Sequence, residues 1–504
     1  MPVKHIIGQI QWPEWAGSRF KKLDVYQRFL DGKIYEHLPY PFYQEVEEGT
    51  GSYIPLRHRR PAVIYNISRL VVNRSTRLLF GGKHFPKLVC ADQTAAKFLQ
   101  SVRDKFNLQG AMLEAAYTGS IGSVGVFFYI LNKKLFFDII NPRWCLPRFD
   151  KECDLEECLI MYPVHGYDLY SCGYEIPDDD LNDQFFYAKR VTKVEELVYK
   201  PIKVDEYEKQ SQLVKDSERS SVHGLGFVPG VWIKNLFPAE GIDGECTFTQ
   251  ALHCSVEIDY QLSQCGRGLK YNSDPQLLIK EPSGNSAITT PYGGIDTPTV
   301  RSTSNALFVG EKGDAKLLEI SGQGQKAVLD YVAKVRQYAL EAVSSSRKDA
   351  EHSYGNTSGR AMELLEGDLI AFSAVLRVTY GEMGLKPLAF KLLKAATKFG
   401  LLAKDPTLAE DFDLELYWGN WFDPTPTDMQ QEETALDLAV KGRRLFMHEA
   451  RMLSATRWDV GHSDPEKLED QWPIPDPPDL PEVNSKEDKK IPNDPRNRDS
   501  KVAA

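Results

Sequence analysis

The chain has no CxxC pair, no cysteine–histidine cluster with zinc spacing and no Gly-Lys-Ser/Thr phosphate loop. It also lacks any run of about 18 apolar residues, the length a membrane-spanning helix needs. Structural zinc, P-loop nucleotide chemistry and a helical membrane span are therefore excluded as organising principles. No signal-peptide pattern opens it, so a secreted protein is not expected. A basic exterior is missing too: 61 Lys and Arg stand against 71 Asp and Glu, a net charge of -10. Wrapping nucleic acid over the outer surface is disfavoured, whereas a surface or channel that must not adhere to polyanions favours this balance. Eight cysteines without metal spacing predict buried free thiols in a reducing cytoplasm. Cys254 and Cys265 share a helical face with Ala251, Ile258, Leu262 and Leu269. The sequons at Asn66, Asn73 and Asn356 then carry no meaning.

Four stretches resemble chemical motifs and read better as structure. GSIGSVG at 119–125 has its glycines before a strand rather than a helix, so a helix stop is the expectation. SGQGQK at 321–326 precedes a helix without a βαβ unit before it and reads as a helix-start turn. DLEE at 154–157 and DDD at 178–180 lack a positioned histidine or a second acidic pair, which makes them solvated loops rather than metal sites. RHRR at 57–60 is the sharpest basic run, a solvated or inter-subunit cluster ahead of a DNA contact. Catalytic residues, cofactor and metal are all assigned as none.

At 504 residues the chain exceeds one compact core. Periodicity predicts helices at Pro61–Leu79 and Ala95–Glu114, then paired strands at Val124–Leu131 and Leu135–Ile140, and further strands at Glu157–Tyr162 and Phe185–Thr192. Residues 201–224 read as a polar surface excursion. A helix follows from near Glu245 to Lys270, then short strands and Gly/Pro/Thr/Ser turns (LLIKE at 277–281, ALFVG at 306–310, KLLEIS at 316–321), then a helix over Gln325–Ser345. Two helices of similar length, leading out to a small β-rich unit and back, make a stalk. The second carries an apolar seam at Val328, Val332, Val335, Ala339 and Ala342, spaced four and three residues apart. Ile258 and Leu262 on the first face it.

Between that helix and the next, Ser358–Gly381, lies a loop with almost nothing to bury: Arg347, Lys348, Asp349, His352, Tyr354, Gly355 and Asn356. Beyond it come a helix at Pro387–Leu402, a strand-like FDLELYW and the signature YWGNWFDPTPTD at 417–428. Thr427 with Gln430 reads as a capping box for a helix over Asp428–Leu445, and a further helix is expected at His448–Thr456. The tail from Gly461 holds eight of the 30 prolines and one aromatic, and is expected to be disordered.

IYNISRLVVNRSTRLLFGG at 64–82, EAAYTGSIGSVGVFFYI at 114–130, FVGEKGDAKLLEISGQGQ at 308–325, SGRAMELLEGDL at 358–369 and YWGNWFDPTPTD, in that order, resemble the portal protein family of long-tailed bacteriophages. The resemblance covers roughly residues 60–455. It implies an α+β portal fold: an α/β wing, a long-helix stem, a small β-rich clip and a helical crown, assembled as a ring of about twelve copies around an axial channel. The implied modules are an N-terminal extension (1–60), wing (61–245), stem helix (246–272), clip (273–324), second stem helix (325–346), tunnel loop (347–357), wing return (358–425), crown (426–460) and tail (461–504). By the same resemblance the ring holds one capsid vertex of the virion open for dsDNA, packaged by the terminase large subunit and later ejected. Its partners are further copies of itself, head-completion (adaptor) protein, major capsid and scaffolding proteins; no membrane is involved, and the chain is made in the bacterial cytoplasm. Arg347, Lys348, His352, Tyr354 and Asn356 are the implied DNA-facing residues, touching phosphates rather than bases because a portal passes any sequence. An oligomeric scaffold or adaptor without a DNA channel, and a nucleotide- or metal-dependent enzyme, stay open as alternatives.

Overall fold

A computed structural model describes residues 14–90, 92–131, 134–207, 213–238, 241–273, 276–280, 314–318, 323–344, 363, 366–402, 413–422, 426–447, 450 and 453–454. It is a mixed helix-and-sheet chain that divides into two compact units, residues 1–357 with 361–423, and residues 358–360 with 424–504. Among the described residues no helix is long and apolar enough to cross a membrane.

In the first unit, α1 (Glu14–Asp31) precedes two very short strands, β1 (Tyr40–Pro41) and β2 (Arg59–Arg60), paired in parallel. Helix α2 (Ile67–Phe80) starts six residues later than its apolar pattern predicts. Asn66 sets the boundary: its side chain accepts the Arg69 N–H at 2.8 Å as an N-cap, and its amide donates to the Leu30 carbonyl. After β3 (Lys87–Cys90), the helix expected over Ala95–Glu114 is two, α3 (Gln93–Phe106) and α4 (Leu108–Gly119). Asn107 separates them in the left-handed region (φ 53°) and caps the second by accepting the Gly110 N–H.

The predicted hairpin is β4 (Ser123–Leu131) and β5 (Lys134–Ile140), and β12 (Gly230–Lys234) completes its sheet in the order β12-β4-β5. A second, antiparallel sheet is built from β6 (Cys145–Phe149), β7 (Leu155–His165), β8 (Gln184–Thr192), β9 (Glu195–Tyr199), β10 (Ile202–Lys203) and β11 (Lys215–Val222), with short helices α5 (Gly166–Ser171) and α6 (Val204–Tyr207) on its connections. Much of the stretch expected as a polar excursion is thus sheet, β10 on β8 and β11 on β9. Edge strands are held through backbone hydrogen bonds and one face, so the polar run KDSERSSV extends the sheet without an apolar signal.

Helix α7 (Leu252–Ser273) leads to β13 (Gln276–Lys280), which pairs antiparallel with β14 (Asp314–Leu318), and α8 (Gln323–Ala342) returns. Helix α9 (Gly367–Leu376) runs into a π-helix (Arg377–Leu385) and α10 (Lys386–Lys398). Strand β15 (Leu414–Tyr417) pairs with β3, Leu414 opposite Cys90, and so brings the chain back more than 300 residues in sequence. The largest core lies between the three-stranded sheet and α2, α4, the π-helix and α10, with Val124, Val126, Phe128 and Ile233 meeting Leu79, Met112, Tyr380, Leu388 and Leu392. Gly384 lets the π-helix close on that sheet, since a Cβ there would sit 2.6 Å from Ile233 Cδ1.

The second unit holds α11 (Pro426–Lys441). It stops before the predicted Leu445, where Arg443 turns into the left-handed region (φ 54°). Ser454 folds back to donate to Glu433 on α11. The helix expected at His448–Thr456 falls largely outside the described residues.

Candidate functional site

Helices α7 and α8 run antiparallel. Cys265 of α7 faces the Gln325 carbonyl near the start of α8, and Tyr331 Oη lies 3.5 Å from Glu257 Oε1 a turn and a half further along. Their interface is apolar: Val332, Ala339 and Ile258 are buried, and Val328, Val335 and Leu262 pack partly buried against them. Ala342 does not belong to this seam. It is exposed, and Leu340 and Val343 are buried in its stead. A straight α-helix of 3.6 residues per turn drifts against a strict 4-3 repeat, so the contact after Ala339 falls four residues on. Leu269, expected on the shared face, is exposed as well. Ile67 and Val71 of α2 cover the seam from the third side, so the chain consumes most of it internally, and Val328, Val335 and Leu262 stay only partly covered. Val343→Ala is expected to cost about 2 kcal/mol of stability, and Ala342→Ser less than about 0.5 kcal/mol, in urea unfolding of the full chain. Equal effects would restore the strict repeat.

Besides charged and polar side chains and Leu329, the outward surface of α8 carries two aromatics. Tyr331 and Tyr338, seven residues apart and so on one helix face, are 47% and 61% exposed. The loop residues Arg347, Lys348, His352, Tyr354 and Asn356 lie outside the described residues, as does most of the predicted clip, including 283–304.

The helix that follows the loop is anchored at a point with no sequence motif. Tyr380, in the π-helix, is fully buried and donates to Asn235 Oδ1 at 3.0 Å. Burial raises its phenol well above the ordinary range, so it stays a neutral donor. The Asn235 amide donates in turn to Glu245 O (2.8 Å), Thr247 Oγ1 (2.9 Å) and Ser120 O (3.4 Å). Thr247 lies five residues before α7, and its N–H donates to Ser120 O. The base of the first stalk helix and the helix entered from the loop therefore rest on one buried amide. GSIGSVG serves this packing: α4 ends at Gly119, where a Cβ would sit 2.3 Å from Tyr380 Oη. The tight glycine was the available signal; its partner 261 residues away was not readable.

The aromatic–proline signature closes on the same π-helix. The Arg377 guanidinium lies 4.7 Å from the Trp418 ring and 3.2 Å from the Trp421 ring, and Trp418 stacks on Phe80. Desolvation pushes Arg377 down to about 10, which leaves it charged at neutral pH. The RHRR run splits. Arg57 and Arg60 are exposed, whereas Arg59 is buried between the Phe42 and Tyr53 rings and donates to Phe42 O and Tyr53 Oη. A guanidinium held this way serves folding and is withdrawn from both solvent and DNA.

Half of the carboxylates in the acidic runs are paired: Glu157 with Arg190 and Arg148, Glu156 with Arg148, and Asp180 with Lys203. Among the described residues no three His, Cys, Asp or Glu side chains are grouped to hold a metal. Of the cysteines, Cys153 and Cys172 are exposed, against the expectation of burial. A cavity of about 210 Å³ is lined by apolar side chains including Phe98, Phe106, Phe128 and Leu392. It is smaller than the roughly 300–1,000 Å³ of typical ligand pockets, and its lining side chains offer no polar group to orient a ligand. The chain matches no family model and no curated protein.

Proposed function

We propose that this chain is the repeating subunit of a portal ring through which dsDNA enters and leaves a phage head. The observation that carries the reading is the antiparallel pair α7–α8, with β13 and β14 joining its far end and a wing of two sheets at its base. Tyr331 and Tyr338 supply an outward aromatic face for a neighbouring copy, of the kind that ring-closing contacts use. The loop 347–357 joins α8 to the helix anchored at Asn235, which would place it where the ring is narrowest. Its Arg347 and Lys348 are offset by Asp349 and Glu351, a balance that suits a sliding contact because a strongly cationic ring would hold DNA by counterion release. The motor or head-completion proteins would grip residues 273–324.

The test is a packaging assay beside a thermal melt of the assembled ring. Arg347→Ala with Lys348→Ala is expected to leave the melt unchanged and to reduce genome filling or retention. Normal filling and retention would remove these side chains from the mechanism, and a collapsed ring would make them structural.

A further inference from the structure

Residues 33–65, between α1 and α2, form a strap laid along α7, and its two ends are tied by the bond from Asn66 Nδ2 to Leu30 O. Four contacts bind the strap to one stretch of the stalk helix. Tyr35 Oη donates to Asp259 Oδ2 at 2.9 Å, and the Tyr65 N–H donates to Asp259 Oδ1 at 2.6 Å. The Val63 N–H donates to Ser263 Oγ at 3.1 Å, and Tyr260 Oη donates to Arg59 O at 3.0 Å. One turn further on, Arg267 pairs with Glu45.

Asp259 is the centre of this contact and is chemically out of place. It is 2% exposed, and among the described residues it makes no ion pair. The groups facing its carboxylate are two phenols and an amide: Tyr35 and the Tyr65 N–H from the strap and Tyr260 from its own helix, while the Ser263 hydroxyl donates to the Asp259 backbone carbonyl. The nearby cations are turned elsewhere. Arg59 is sandwiched by Phe42 and Tyr53, Arg336 of α8 donates to Tyr65 Oη at 2.9 Å, and Arg267 is on Glu45. A buried carboxylate without a counter-charge must lose its hydration on docking, and two donated hydrogen bonds only partly replace it.

We infer that the strap is fastened to the stalk helix by a proton-operated latch at Asp259, tightened by mild acid and loosened toward neutral pH. The direction follows from burial. Desolvation pushes Asp259 up to about 6 from the ordinary 3.8, against the opposing hydrogen bonds from the Tyr65 N–H and Tyr35. With the docked value above the undocked one, the protonated acid favours docking. That contribution is fully present below about 3.8, falls as pH rises toward 6, and is level above it. The latch is a property of one chain and holds whether or not copies assemble.

Hydrogen exchange of the full-length chain, corrected for the intrinsic pH dependence of exchange, reads the opening of residues 33–65. Between pH 7 and pH 5 the wild-type opening constant is expected to fall about tenfold, the change linkage gives for these two values. Asp259→Asn, which cannot titrate, is expected to show no such change relative to segments elsewhere in the chain. Tyr35→Phe removes a donor from the charged form and is expected to move the midpoint upward; it keeps the test available if the asparagine variant does not fold. An identical pH profile in wild type and Asp259→Asn, or an unmoved midpoint in Tyr35→Phe, would overturn the latch.

Discussion

Asn235→Leu is expected to destabilise the chain by about 4 kcal/mol, one of the largest single-residue effects available in it. The side chain is 1% exposed and is shared by four partners: Tyr380 donates to it, and it donates to Glu245 O, Thr247 Oγ1 and Ser120 O. Leucine has similar bulk and none of these bonds. Several buried polar groups would lose their partner at once, each at a cost of about 1–3 kcal/mol where water cannot reach. Tyr380→Phe, which removes one donor and leaves Asn235 its other three bonds, should cost only about 1–2 kcal/mol. Urea unfolding of both variants measures this. Equal, small losses would mean that the segment leading into α7 and the π-helix are held independently, contrary to the shared support at Asn235.

Tyr331→Glu combined with Tyr338→Glu is expected to break the proposed ring into monomers while leaving the monomer's unfolding free energy within about 0.5 kcal/mol of wild type. Both rings are about half or more exposed in the isolated chain, so their replacement opens no cavity. Tyrosines that act as interface hot spots cost about 2 kcal/mol each when removed. Losing two, and burying carboxylates in their place, corresponds to at least about a thousandfold weaker association at 1.4 kcal/mol per tenfold. Sedimentation velocity at micromolar concentration would show the shift. A ring that persists unchanged would place the contact on another face, and a chain that is monomeric before mutation would remove the ring itself. The buried part of the apolar seam is not an alternative contact, because Val332, Ala339 and Val343 are already covered within the chain.

How far the sequence could be read depends on the range of the interactions. Period and punctuation located most local elements, though not the late start of α2 or the break at Asn107 between α3 and α4. The β4–β5 hairpin, the α7 and α8 helices, β13 and β14 beyond the first and before the second, and the helix stop at Gly119 are all local consequences of alternation, 3.6-residue spacing and glycine. Even the failure at Ala342 is local, a 4-3 pattern carried one contact too far on a straight helix. The mixed α and β character of the chain followed from these alone. The placement of its acids and bases did not. RHRR looked like one cluster, and only the packing of residues 40–60 turned Arg59 inward between two rings. No motif or spacing in the sequence marks Asp259. Its burial comes from a strap 200 residues away in sequence, and that burial alone makes it a group that titrates near 6. Asn235, Tyr380 and the Arg377–Trp418–Trp421 stack are likewise products of contacts between segments far apart in the chain. Side-chain identity sets what a group can donate, accept or repel. Which of these it does depends on how much water is left around it, and that is decided when distant segments close over it.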